Sequence, residues 1–306
     1  MAGFFGIGNY MKEGKGVEKD APQKRSIFLF FELFFRKFSK LIMLNLLYLV
    51  TIIPTVIVVF ILSGFISSAI IEYFSPAMNE IFNFSGGNII ANEDYTRFLV
   101  YFDVIIRCLV TILFTVLWGM GPATCGFSYV LRNYSREEHA WLVSDFFGKA
   151  KKNFKQGIIV WIIDLAMLFL LCNAYVFYDG QEGFLEIIKY FILTIAVIYT
   201  LMHLYIYQLI ITFELPLKEI YRNSLILALG KLPRNILVLA ALIFVVLVLP
   251  YASIYSQYFD KFIIAYLILV VLILFSFCGF LMNFFVYPVI KKEMLSKADP
   301  EKYGIN

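Results

Sequence analysis

Six apolar stretches, at about 41–64, 98–120, 157–178, 187–213, 235–255 and 262–288, constrain this chain more than any other feature. A lipid bilayer offers no partners to free backbone N–H and C=O groups, so each stretch has to close its own hydrogen bonds, and roughly 20 residues of helix cross the hydrocarbon core. Transmembrane β-strands would need short alternating segments instead. The mean hydropathy of +0.81 excludes an ordinary soluble domain. The fold class that follows is an all-α polytopic membrane protein of six spans. Residues 26–306 form one membrane domain, and residues 1–25, rich in Gly, Lys and Glu, are expected to be a flexible extension.

Basic residues alternate between the connecting segments. Lys24, Arg25, Arg36, Lys37 and Lys40 precede the first span; Arg132, Arg136, Lys149, Lys151, Lys152 and Lys155 lie between the second and third. Lys218, Arg222, Lys231 and Arg234 lie between the fourth and fifth, and Lys291, Lys292 and Lys297 follow the last. The segments between are acidic or short. By the positive-inside rule both termini are expected to be cytoplasmic, an arrangement that needs an even number of spans, as six is. No cleavable signal peptide is expected, because the first apolar run is too long for one.

The stretch from Trp118 to Gln156 breaks this apolar pattern. Gly121 and Pro122 are expected to kink the second span as it leaves the membrane. Ser135 and Glu138 match a capping box, which would start an amphipathic helix there, lying on the inner surface with Val143, Phe147 and Phe154 on its apolar face. Similar faces occur at Phe28, Phe31, Phe35 and Phe38 and at Leu225, Leu229, Leu232 and Ile236, a pattern that fits either three repeated units of surface helix, span out and span back, or the ordinary tendency of cytoplasmic loops to be basic near the membrane. Ser135, Glu138, His139, Trp141, Phe147, Lys151, Lys152 and Lys155 make up the candidate cytoplasmic contact helix.

Little here points to catalysis. Neither a metalloprotease helix, a nucleophile elbow nor a phosphate-cradling Gly loop is present, and the four cysteines lack metal-ligand spacing. An enzyme, a cofactor, a metal and a nucleic-acid partner are therefore not expected. Ionisable residues inside a membrane are the default functional pointers, and four qualify: Asp103 and Arg107, which can pair one helical turn apart, Asp164, and His203. Alternative roles for them are contact with a transported solute and hydrogen bonding between helices.

Taken together, LNLLYLVTIIP, GPATCGFSYVLRNYSREEHAW, SDFFGKAKKNFKQGIIVWII and NSLILALGKLPRNIL resemble the YesL family of bacterial membrane proteins. That resemblance implies a multi-pass protein of the bacterial plasma membrane, without enzyme activity, associated with carbohydrate importers of the ABC type. Its implied partners are the bilayer and importer permease subunits. A self-contained secondary transporter of a small solute, or a membrane scaffold or sensor, are the alternatives.

Overall fold

The computed structural model describes residues 26–81, 93–179, 181–248, 250 and 259–297. The expected extension at 1–25 and most of the outer segment at 65–97 beyond Ile81 lie outside them. Every regular element described is helical. In chain order they are α1 (Ser26–Arg36), α2 (Phe38–Ile81), α3 (Glu93–Leu117), α4 (Pro122–Ser135), α5 (Leu142–Lys152) and α6 (Phe154–Asp179). After a 3₁₀ turn at Gly183–Ile187 come α7 (Ile188–Thr212), α8 (Leu217–Gly230) and α9 (Leu232–Ile243). The last two are α10 (Phe259–Leu269) and α11 (Phe275–Glu293).

Among the described residues, five helical segments are long and apolar enough to cross a membrane: Phe38–Pro76, Tyr95–Leu117, Phe154–Asp179, Gly183–Thr212 and Lys261–Glu293. They coincide with five of the six expected spans. The remaining one, expected at 235–255, begins as α9 but joins α8 through a 95° bend, and the two reach a sixth span only when counted together. Pro233 in the first turn of α9 sets this break, since its ring cannot continue the preceding helix. Residues 249 and 251–255 of that expected span lie outside the described residues.

The segment from Trp118 to Ser135 departs from the expected membrane exit. Gly119 and Gly121 adopt positive φ values of 79° and 66°, so the chain turns rather than kinks, and Pro122 opens a new helix at its first position. That helix, α4, is the buried centre of the molecule, touching α2, α5, α6, α7 and α11. Its small residues explain the position. A Cβ on Gly126 would lie 2.3 Å from the Phe146 carbonyl oxygen of α5, and one on Gly157 of α6 would lie 2.9 Å from the Pro122 backbone. Close approach of this kind is how helices gain packing energy where the hydrophobic effect is absent.

The expected capping box at Ser135 is also not formed. Ser135 ends α4, its hydroxyl donating to Arg132 O at 2.8 Å. Glu137 takes φ 61°, Glu137 N–H donates to Tyr134 O and Glu138 N–H to Asn133 O, which closes α4 as a Schellman motif. The surface helix starts seven residues later, at Leu142, where Asp145 Oδ2 accepts from Trp141 N–H at 2.7 Å. A local S-x-x-E match cannot report that the preceding helix has yet to end.

The residues of the three expected stripes face outward, but no stripe stays on one helix: Phe38 opens α2, Phe154 opens α6, and Leu232 and Ile236 lie on α9 beyond the 95° bend. Phe28, Phe31 and Phe35 of α1, Val143 and Phe147 of α5, and Leu225 and Leu229 of α8 are exposed. The opposite faces are the packed ones. Phe30 and Phe34 meet Phe277 and Phe280 of α11, Phe146 backs onto α4, and Ile220 and Ala228 are fully buried. An outward apolar stripe is what a helix lying in the membrane interface needs.

Breaks in the helices are satisfied by buried side chains. A π-helical segment at Val270–Leu274 separates α10 from α11, and Asn45 of α2 donates from Nδ2 to Val270 O and Val271 O while its Oδ1 accepts from Ser276 N–H. A second π segment, Phe244–Val248, meets the Tyr266 hydroxyl at Val246 O. At the α8–α9 bend, Asn235 Nδ2 bonds Leu227 O and Ala228 O and its Oδ1 accepts from Tyr205. Backbone groups freed inside a membrane must find such partners. Asn45→Leu is therefore expected to cost about 2 kcal/mol, the net worth of its lost hydrogen bonds. Reversible unfolding in detergent micelles would measure it, and an unchanged stability would mean the π segment relaxes to α-helix without penalty.

Candidate functional site

Asp164 stands ten residues into α6 and His203 nine residues before the end of α7, about 15 Å along each helix from the end carrying the basic segments. That places both near the middle of a hydrocarbon core of roughly 30 Å. Their side chains are completely buried, and His203 Nε2 lies 2.9 Å from Asp164 Oδ1. The same carboxylate oxygen accepts from the Tyr199 hydroxyl at 2.7 Å. Trp118 covers the imidazole in a stacked arrangement at 5.7 Å, and Tyr199 meets both rings edge-on.

The cluster is not saturated. Asp164 Oδ2 and both His203 nitrogens lack an aligned hydrogen bond, so the 2.9 Å approach is a close polar contact rather than a formed N–H···O bond. Beside it lies a cavity of about 40 Å³ to which His203, Thr115, Ser128, Tyr207, Gln208 and Asn283 contribute polar groups. This is room for water, and polar lining of this kind is what holds one. Chemically, the arrangement can hold a proton between a carboxylate and an imidazole, screened from lipid by aromatic rings.

The four intramembrane residues singled out by sequence fall into two pairs. Asp103 and Arg107 pair on α3 at 2.7 Å, as their spacing predicts, and Ser67 of α2 donates to Asp103 at 2.6 Å. The Arg107 guanidinium lies over Gly64, where a Cβ would meet it at 2.5 Å. This pair ties α2 to α3. Asp164 and His203 form the second pair, on α6 and α7. Sequence reasoning missed Tyr199 as a partner, although Tyr199, His203 and Tyr207 follow each other at four-residue intervals and so share a helix face.

The contact-helix residues are split. Ser135 belongs to α4, Glu138 pairs with Arg136 in the α4–α5 turn, and exposed His139 meets Trp141 edge-on at 4.7 Å. Trp141, Phe147, Lys151, Lys152 and Lys155 are exposed on α5 and its junction with α6. Lys152 pairs with Glu214 at 2.9 Å, and that hydrogen bond and charge hold the Glu214 carboxyl below its ordinary range. Related ties gather the basic segments at one end of the bundle: Arg36 to Glu137, Lys231 to Glu293, and Lys37 over the Tyr134 ring.

Residues 99–175 match the family described as "Protein of unknown function, DUF624". The DUF624 stretch begins in α3 and ends in α6, so it holds Asp103, Arg107, Asp164, the buried α4 and the whole of α5. His203 and Tyr199 lie beyond it. No curated protein and no solved structure matches the chain.

Proposed function

We propose that this protein is an accessory membrane subunit, without ATPase or enzyme activity of its own, that docks onto a carbohydrate importer of the ABC type through its basic end. The observation carrying this reading is α5: a short helix fixed on α4 that presents Trp141, Val143 and Phe147 beside Lys151 and Lys155. Fixed apolar anchors ringed by exposed cations match the anatomy of a protein-docking surface. The positive-inside rule puts this end in the cytoplasm, where an importer's nucleotide-binding subunits also sit. The importer itself, and a bacterial plasma membrane, enter through the resemblance to the YesL family, with which the DUF624 match is consistent.

Affinity purification of the tagged protein from its native membrane in mild detergent, followed by mass spectrometry, tests this. Importer permease subunits are expected in stoichiometric amount, with recovery falling about tenfold in Lys151→Glu/Lys155→Glu as like charges meet across the contact. Recovery of the chain alone, under conditions that keep a control importer intact, would sink the reading. A secondary-transport reading is favoured by one observation, the unfilled hydrogen-bonding capacity of Asp164 and His203. Proton uptake by proteoliposomes that is lost in Asp164→Asn would move the function there.

A further inference from the structure

A larger cavity, of about 400 Å³, opens at the basic end between the α5–α6 junction, the last turn of α7 and residues 213–216. Arg132, Lys149 and Lys152 face it, together with Thr212 and Gln156, and the one carboxylate in its lining is Glu214, which is paired to Lys152. Cations therefore outnumber acids by three to one.

Arg132 is the informative member. It belongs to α4 and is only 6% exposed. Its guanidinium donates from Nη1 to Thr212 Oγ1 at 2.7 Å and rests against the rings of Tyr129 and Tyr287, at 5.1 and 5.7 Å. Its Nε has no hydrogen-bond partner, and no carboxylate lies within ion-pair distance of it among the described residues. A guanidinium stays charged and brings five donors. Buried without a counter-ion it is costly, and two ring faces offset only part of that cost. Lys149 rests on the other side of the problem, its ammonium 4.5 Å from the same Tyr129 ring. Gln156, by contrast, is committed to Leu215 O and shapes the wall.

We propose that this cavity binds a phosphate group, carried either by an anionic phospholipid headgroup or by a soluble phosphate ester, with Arg132 as the fixed donor and Lys149 and Lys152 as the closing cations. Two lysines beside a fixed guanidinium, with Glu214 offsetting one of the three charges, suit a tetrahedral group of more than one negative charge better than a single carboxylate. The volume lies within the roughly 300–1,000 Å³ of small-ligand sites. Its place matches too: the cavity opens at the end of the bundle where the basic segments gather, and cations near a membrane surface attract anionic headgroups.

The full chain, purified in a neutral detergent and stripped of lipid, is the material for the test. One arm adds mixed micelles of phosphatidylglycerol or of phosphatidylcholine; the other adds inorganic phosphate, with sodium chloride at matched ionic strength. Bound lipid is read by native mass spectrometry and phosphate by calorimetry. One phosphatidylglycerol per chain without a response to phosphate assigns a headgroup; saturable phosphate binding in the lipid-free arm assigns a soluble ester. In either case Lys149→Gln is expected to weaken binding about tenfold, and Arg132→Gln more. Lys149 is half-buried, against the Tyr129 ring, and makes no ion pair among the described residues, so its variant is expected to fold even where that of Arg132 does not. Absence of binding in both arms, or equal binding by wild type and Lys149→Gln, would overturn the proposal. Neither arm contains an importer, so the result stands apart from the docking experiment.

Discussion

Asp164→Ala is expected to destabilise the protein by about 3 kcal/mol or more, measured as reversible unfolding in detergent micelles. The substitution removes the acceptor of the Tyr199 hydroxyl and the carboxyl group facing His203, both of them buried. Removing one partner of a buried polar pair leaves the survivor without compensation, which is why single removals cost more than the pair is worth. The double variant Asp164→Leu/His203→Phe separates structure from function. It replaces both polar groups by apolar ones of similar size, so most of the lost stability is expected to return, with a coupling energy above 1 kcal/mol between the sites. Trp118, stacked on His203, supplies a fluorescence report of local order. A stable double variant that still supports importer assembly assigns the pair to holding α6 against α7. A harmless Asp164→Ala would show instead that the contact carries no weight in the fold.

Much of this architecture is legible without coordinates because lipid leaves the backbone so few options. Five of the expected spans coincide with helices for that reason. The Asp103–Arg107 pair is legible too, since a four-residue spacing on an apolar helix brings the two side chains together whatever surrounds them. What the sequence hides is what depends on partners far along the chain. Asp164 and His203 are 39 positions apart, and nothing local joins them. The segment Gly-Met-Gly-Pro looks like a bend at the end of a span, because glycine and proline report that regular structure stops and not where the chain goes next. That α4 turns inward rather than outward is decided by Tyr48, whose ring stacks on Phe127 at 4.1 Å, and by Tyr207, whose hydroxyl accepts from Gly121 N–H at 3.2 Å. In the sequence Arg132 looks like one more cation of a basic loop, since a count of charges by segment takes no account of which of them fold inward.

Gly126→Ala carries the second large effect, and its sign is the instructive part. In a helix interior alanine is favoured over glycine by about 1 kcal/mol, so the change gains stability wherever space allows. Gly148 of α5 has no atom within 4 Å of a built Cβ, and Gly148→Ala is expected to show that gain. At Gly126 the Cβ would stand 2.3 Å from the Phe146 carbonyl oxygen and 3.0 Å from its carbon. These are backbone atoms, which no rotamer change can move aside, so α5 has to shift off α4. A loss of about 3 kcal/mol is expected, at the upper end for overpacking. Paired unfolding measurements on the two alanine variants check this, and equal effects would show that α4 and α5 do not meet as closely as described. The consequence extends past stability. Arg132 sits on α4 while Lys149 and Lys152 sit on α5, so a displaced α5 separates the three cations of the phosphate cavity and moves Trp141 and Phe147 away from their places at the basic end. In a Gly126→Ala protein that remains folded, phosphate binding and importer recovery should therefore fall together, although the substitution touches neither site.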